Sequence, residues 1–166
     1  NKAAREMKER ASKLVQGAEA RGLTVSTFHN LGLNILRREM EYFGLKKGFS
    51  IFDADDSKSL IGELLHRENA SDKIDLIRNL VSGFKNQLIS PEEAVNKAEN
   101  DGELLAAKIY EVYNRHLRAY NAVDFDDLIL LPTIGFRDNQ ELRERWQNRI
   151  HYLLVDEYQD TNSAQY

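Results

Sequence analysis

At 166 residues the chain is long enough for one domain with its own core, or for parts of two small ones. Its 42% hydrophobic and 30% charged residues exclude a disordered or fibrous chain. The absence of cysteine excludes disulfides and thiolate metal sites, and no apolar run reaches the length of a membrane span. The formal net charge of −4 argues by itself against a nucleic-acid binder, but residues 1–50 carry a net +5 and the remainder −9. Screening confines a patch to about 8–10 Å, so a basic face on an acidic protein can serve phosphates. A solvated mixed-charge surface accounts for the same charges equally well. With no cysteine and no secretory-type opening, the expectation is a cytoplasmic protein that does not enter a membrane. The chain opens at Asn1 inside a helical pattern, which reads as a piece of a longer protein.

In chain order, Asn1–Gln16 is a helix pattern, with Ala4, Met7, Ala11 and Leu14 at three- to four-residue spacing. Gly22 releases the chain into Leu23–Thr27, whose β-branched residues predict a strand. Phe28, His29 and Asn30 lead into a helix over Leu31–Phe43, stopped by Gly44.

Residues 45–122 carry no strand signal and read as four helical segments. Asp53 caps the first, which holds Leu60, Ile61, Leu64 and Leu65. Ser71 caps the second, with Ile74, Ile77, Val81, Phe84 and Leu88 along one face. Ser90-Pro91-Glu92-Glu93 is a capping box opening a third, and Asn100-Asp101-Gly102 separates it from a fourth over Glu103–Asn121, with Leu105, Ile109, Val112 and Leu117 inward. Asp124 then caps a short helix, DFDDLILLP, which Pro132 ends or kinks. Asp124, Asp126 and Asp127 could form a cation site, but capping and first-turn acids explain them better. Asn139–Ile150 is a further helix with Leu142, Trp146 and Ile150 inward.

The last stretch is HYLLVDEYQDTNSAQY. Tyr152–Val155 is a continuous apolar run, the mark of a strand buried on both faces of a parallel sheet, and it ends in Asp156-Glu157. Ligands of open α/β sheets sit outside the carboxyl ends of strands, so an acidic pair there is placed for chemistry. An Asp at that point can equally cap a following helix. DEYQDTN closely resembles motif II of the Rep/UvrD/PcrA family of superfamily 1 DNA helicases. NKAAREM is similar to the end of motif Ia of that family, and TFH to motif Ib; VDFDDLILLP and RWQNRIHYLLVDEYQD also resemble Rep-like sequence.

The resemblance implies an ATP-dependent DNA helicase and translocase, of 3′ to 5′ polarity, acting on single-stranded DNA and the single-strand/duplex junction. It implies that Asp156 holds Mg²⁺, that Glu157 activates the attacking water, and that Gln159 senses the γ-phosphate of ATP. It also implies that Asn1, Lys2, Thr27, Phe28 and His29 contact DNA. Phe28 could stack on a base, although an aromatic just after a buried strand is more often core. The implied fold is α/β and mostly helical. Residues 1–47 and 123–166 would be parts of a RecA-like parallel-sheet domain, interrupted over 48–122 by an all-helical insertion. More than a hundred residues separate Thr27 from Tyr152, far beyond what a parallel crossover needs, which agrees with an insertion.

No GxxxxGK[ST] phosphate loop occurs, so the chain alone is expected to be inactive as an ATPase. Its strands would lack sheet neighbours, which favours self-association. Phe84 stands where the family often has Trp, leaving that contact as packing. Two other classes fit the residues: a subunit of a helicase-nuclease, and a non-enzymatic helical binding module.

Overall fold

The computed structural model describes residues 20–150, with side chains from Phe28 onward. In order these form α1 (Ala20–Arg38), β1 (Ser50–Phe52), α2 (Ala54–Arg67), a 3-10 turn (Ser71–Lys73), α3 (Ile74–Asn86), α4 (Pro91–Lys97), α5 (Asp101–Ala119), β2 (Ala122–Asp124) and α6 (Asp127–Asp138). Residues 140–150 are helical as well.

The local start signals of α2, α4 and α5 act as the side-chain chemistry dictates. Asp53 accepts from the Asp56 N–H at 2.9 Å while Asp56 accepts from the Asp53 N–H at 3.1 Å, a reciprocal box at the head of α2. Ser90 accepts from the Glu93 N–H ahead of Pro91 in α4, and Asn100 accepts from the Glu103 N–H to open α5. Ser71 is the exception. It begins the 3-10 turn and caps nothing, and α3 starts at Ile74 without a side-chain cap.

Three chain reversals close by one device. After α2, α3 and the turns that follow α1, a residue with positive φ (Asn69, Leu88 and Gly44) lets the next N–H reach back five residues, to Leu65, Phe84 and Met40. The sequence places a helix stop at Gly44. However, α1 ends at Arg38, and the chain reaches Gly44 through tight turns.

Two expectations are corrected. Leu23–Thr27 lies inside α1 and is not a strand. Strand preference depends on having neighbours to pair with. No described strand lies beside this segment, so its backbone bonds along the helix. Conversely, residues 45–122 do hold strand: Ser50–Phe52 pairs in parallel with Ala122–Asp124, Ile51 opposite Val123 and Phe52 opposite Asp124. Three residues are too few for a period of two to show in sequence.

This small sheet has a different core on each face. Ile51 and Val123 turn toward Leu36, Phe43, Leu45 and Leu128. Ala122 and Phe52 turn the other way, onto the helical core of Leu64, Leu65, Ile77, Val81, Ala106 and Tyr110. Next to the first core, Leu31, Ile35, Phe136, Leu142 and Trp146 form a cluster joining α1, α6 and the 140–150 helix. Trp146 is fully buried, and its indole N–H donates to Glu39 at 2.9 Å.

Helices α1 and α6 approach at Gly32, where a Cβ would collide with the carbonyl oxygen of Leu128. Pro132, inside α6, has no N–H to offer that oxygen four residues back. Gly32 turns a Cα–H at it, a weak but geometrically apt partner.

Candidate nucleic-acid interface

A groove of about 390 Å³ opens between α1, β1 and the start of α6, lined by His29, Asn30, Leu33, Ile51, Phe125 and Leu128. Phe125 immediately follows β2, at the carboxyl end of the parallel pair, where open α/β sheets collect ligands. The residue is 47% exposed. The His29 ring stands edge-on to it, with centroids 6.4 Å apart and planes at 76°. A flat apolar groove with two rings at its wall has the shape and chemistry that take a nucleobase by stacking, whatever the base.

Behind that ring the turn is polar and buried. Asp124 accepts from the Asp127 N–H at 2.8 Å, and Asp127 accepts from the Asp124 N–H at 3.2 Å. The capping assigned to Asp124 from sequence is therefore present, in reciprocal form. It is not the whole role of these acids. Lys85, at the last turn of α3 and 1% exposed, sends its ammonium to Asp124 at 2.7 Å and to Asp127 at 2.9 Å. Tyr113 donates to Asp124 at 2.8 Å, its oxygen lies 2.9 Å from the Ser57 hydroxyl, and the Lys85 ammonium sits 5.1 Å from its ring centre. One turn earlier on α3, Ser82 donates to Asp126 at 2.9 Å.

Burial governs the proton affinities here. Burial works to lower the Lys85 pKa, but Asp127 and Asp124 outweigh it and hold the ammonium above its ordinary value. Burial pushes Asp127 up to about 6, against the opposing pull of Lys85, with the Asp124 charge adding to the rise. Two carboxylates share one ammonium, so one negative charge is left over in a dry site. Burial likewise raises the Tyr113 hydroxyl and the Asp126 carboxyl.

On the far side of the turn lies a second, polar cavity of about 280 Å³. Its lining includes Ser57, Arg78, Ser82, Tyr113, Asp124 and Asp126. Among the described residues, no group of three or more His, Cys, Asp or Glu side chains could hold a metal ion.

Of the site residues expected from sequence, Asn1, Lys2, Asp156, Glu157 and Gln159 lie outside the described residues, as does the Thr27 side chain. Phe28 is 5% exposed, so the base stacking considered for it has no free ring face. Its neighbour His29 lines the groove. The sequence places a helix start just after Thr27 and His29, where free N–H groups would suit a phosphate. Both residues lie within α1, which begins at Ala20, so their N–H groups are not the free donors of a helix start.

Sequence reasoning missed Phe125 and Lys85, and each left a signal. Phe125 is the one apolar residue in the run Asp124–Asp127. Lys85 falls four residues after Val81 and eight after Ile77, a lysine on the inward stripe of α3.

The profile of the UvrD/REP helicase N-terminal domain matches residues 1–166. The chain is 50% identical over 169 aligned residues to the ATP-dependent DNA helicase Rep of Salmonella typhimurium and to that of Escherichia coli, all of this chain against 25% of each relative. It is 42% identical to the ATP-dependent DNA helicase PcrA of Staphylococcus aureus, over all of this chain and 23% of the relative. The chain thus spans about a quarter of the length of these curated relatives. It belongs to the UvrD/REP helicase N-terminal domain family.

Proposed function

We propose that this chain forms the part of an ATP-dependent DNA helicase that holds single-stranded DNA against the carboxyl ends of a parallel sheet. The observation that carries this reading is Phe125, an aromatic residue left 47% exposed beside His29 in an apolar groove. The helicase names of the Rep and PcrA relatives support DNA as the polymer. A single strand offers splayed bases, so one base stacks on Phe125 with His29 at its edge, and neighbouring phosphates meet the basic side of residues 1–50. The 3′ to 5′ direction of travel, action at a single-strand/duplex junction and the cytoplasmic setting belong to the same proposal, as does the division into a RecA-like base and a helical insertion over 48–122. Two cores on opposite faces of the β1–β2 pair support that division.

Asp156, Glu157 and Gln159 complete the reading on sequence grounds. Hard carboxylate oxygens suit Mg²⁺, so Asp156 would hold the ion that accompanies ATP, Glu157 would orient and deprotonate water, and Gln159 would face the γ-phosphate. ATP with its ion would supply the free energy of translocation, and this chain would supply the acids that meet them.

Two measurements test the proposal. Fluorescence anisotropy on a labelled oligothymidylate should show Phe125→Ala weakening binding by about 5- to 100-fold, the loss of one stacked base. Lys97→Ala, on α4 in the insertion, should bind as the parent does; the reverse pattern moves the strand elsewhere. In the full-length protein Glu157→Gln should bind ATP yet turn it over about 10²–10⁴-fold more slowly. Turnover within a few-fold of the parent would remove Glu157 from the reaction.

A further inference from the structure

The turn Asp124–Asp127 carries three carboxylates and one phenyl ring, and α3 holds every carboxylate. Ser82 and Lys85, three residues apart, share one face of that helix. Ser82 takes Asp126, and Lys85 takes both Asp124 and Asp127, the residues that bracket the Phe125-Asp126 pair. The reciprocal bonds between Asp124 and Asp127 close the turn on itself, and Tyr113 adds a third donor to Asp124. Within this turn only Phe125 is exposed. A buried ion set of this kind is a poor way to gain stability, because apolar side chains of similar volume do as well or better.

We propose that Lys85 is a positioning residue for single-stranded DNA: by tying Asp124 to Asp127 it presents the Phe125 ring to the base-binding groove. The inference rests on the reading of Phe125 as a stacking platform. It adds a physical link between α3, which packs in the helical core, and the groove on the other face of the sheet. A displacement of α3 then moves the ring, and a strand stacked on the ring resists displacement of α3.

The test uses Lys85→Met, which keeps the aliphatic stem and removes the ammonium, together with Phe125→Ala and the double variant. Binding to an oligothymidylate carrying one 2-aminopurine is measured at several salt concentrations, beside a denaturant melt of each protein. Lys85→Met should weaken binding by about 5- to 100-fold, close to the effect of Phe125→Ala, and lose most of the quenching of 2-aminopurine. The double variant should bind no worse than Phe125→Ala alone. The salt slope should stay the same in all of them, because the phosphate contacts are untouched.

A lysine that merely supports the fold would shift the melt, and its effect on binding would persist in the Phe125→Ala background. That additive result overturns the proposal, as does a Lys85→Met protein that binds and quenches like the parent. If Phe125→Ala itself binds normally, the stacking reading falls, and this inference with it. Should Lys85→Met not fold, Ser82→Ala and Tyr113→Phe each remove one anchor from the turn. Both should reduce quenching in part, and normal quenching in both contradicts the proposal.

Discussion

The two faces of the β1–β2 pair teach different lessons about how the sequence makes structure. On one face, the helices from α2 to α5 build a core from residues 60–122, each helix opened or closed by chemistry within a few residues of its end. On the other, Leu31 and Ile35 meet Phe136, Leu142 and Trp146 across a hundred residues of chain. The first core is locally specified; the second exists only once the long connection has folded. The groove lies on the second face, while the anchors of its exposed ring come from the first.

The largest expected effect separates the two cores. Trp146→Ala removes a fully buried ring and leaves Glu39 without its indole donor, at a cost of about 3–5 kcal/mol. Hydrogen exchange should show α1 and α6 losing protection while α2 to α5 keep theirs. Equal loss on both sides would mean the cores are one cooperative unit.

Gly32→Ala is expected to cost somewhat less, about 1–3 kcal/mol, read from a denaturant midpoint. Its new methyl group meets the Leu128 backbone carbonyl, which cannot move aside as a side chain can. Gly83→Ala is the internal control on α3, where a Cβ meets nothing within 4 Å, and replacing a helical glycine there should be neutral or stabilising. An unchanged midpoint for Gly32→Ala would show that α1 and α6 separate more readily than their contact suggests.

A gentler probe is pH. Asp127 titrates near 6 in the fold and near 4, the ordinary carboxylate value, when unfolded. The folded chain binds the extra proton between those values, so this contribution is fully present below about pH 4 and is lost as pH rises through 6. The unfolding midpoint of the parent should therefore decline over that window relative to Asp127→Asn, which has no such proton to lose. Parallel pH profiles for the two proteins would show that Asp127 is not the group titrating.

How much of this could be read in advance follows the same division. The caps at Asp53 and Ser90 and the apolar stripes of α2 to α5 depend on near neighbours and were legible, whereas α5 opens at Asp101 under an Asn100 cap rather than at Glu103, and α1 stops at Arg38, short of Gly44. The inward settings of Leu142 and Trp146 followed from helical spacing alone. Leu23–Thr27 misled because β-branched residues describe a strand only where a neighbour pairs with them. The β1–β2 pair was invisible because three residues make no pattern. At the site, His29 was found through a short motif, whereas Phe125 was hidden by the acids around it, and Lys85 by the habit of reading a charge near a helix end as solvated. Its place on the inward stripe of α3 was visible, but the carboxylates that hold it lie some forty residues away.

The most direct test of where the strand lies is photocrosslinking. An oligothymidylate carrying 5-iodouracil is bound to the protein, irradiated, and the adduct mapped by mass spectrometry. The account predicts adducts on the peptide containing Phe125, with a lesser yield at His29, and their loss in Phe125→Ala. Adducts concentrated on α4 and α5, around Asn96 and Arg115, with Phe125 unmodified, would contradict it.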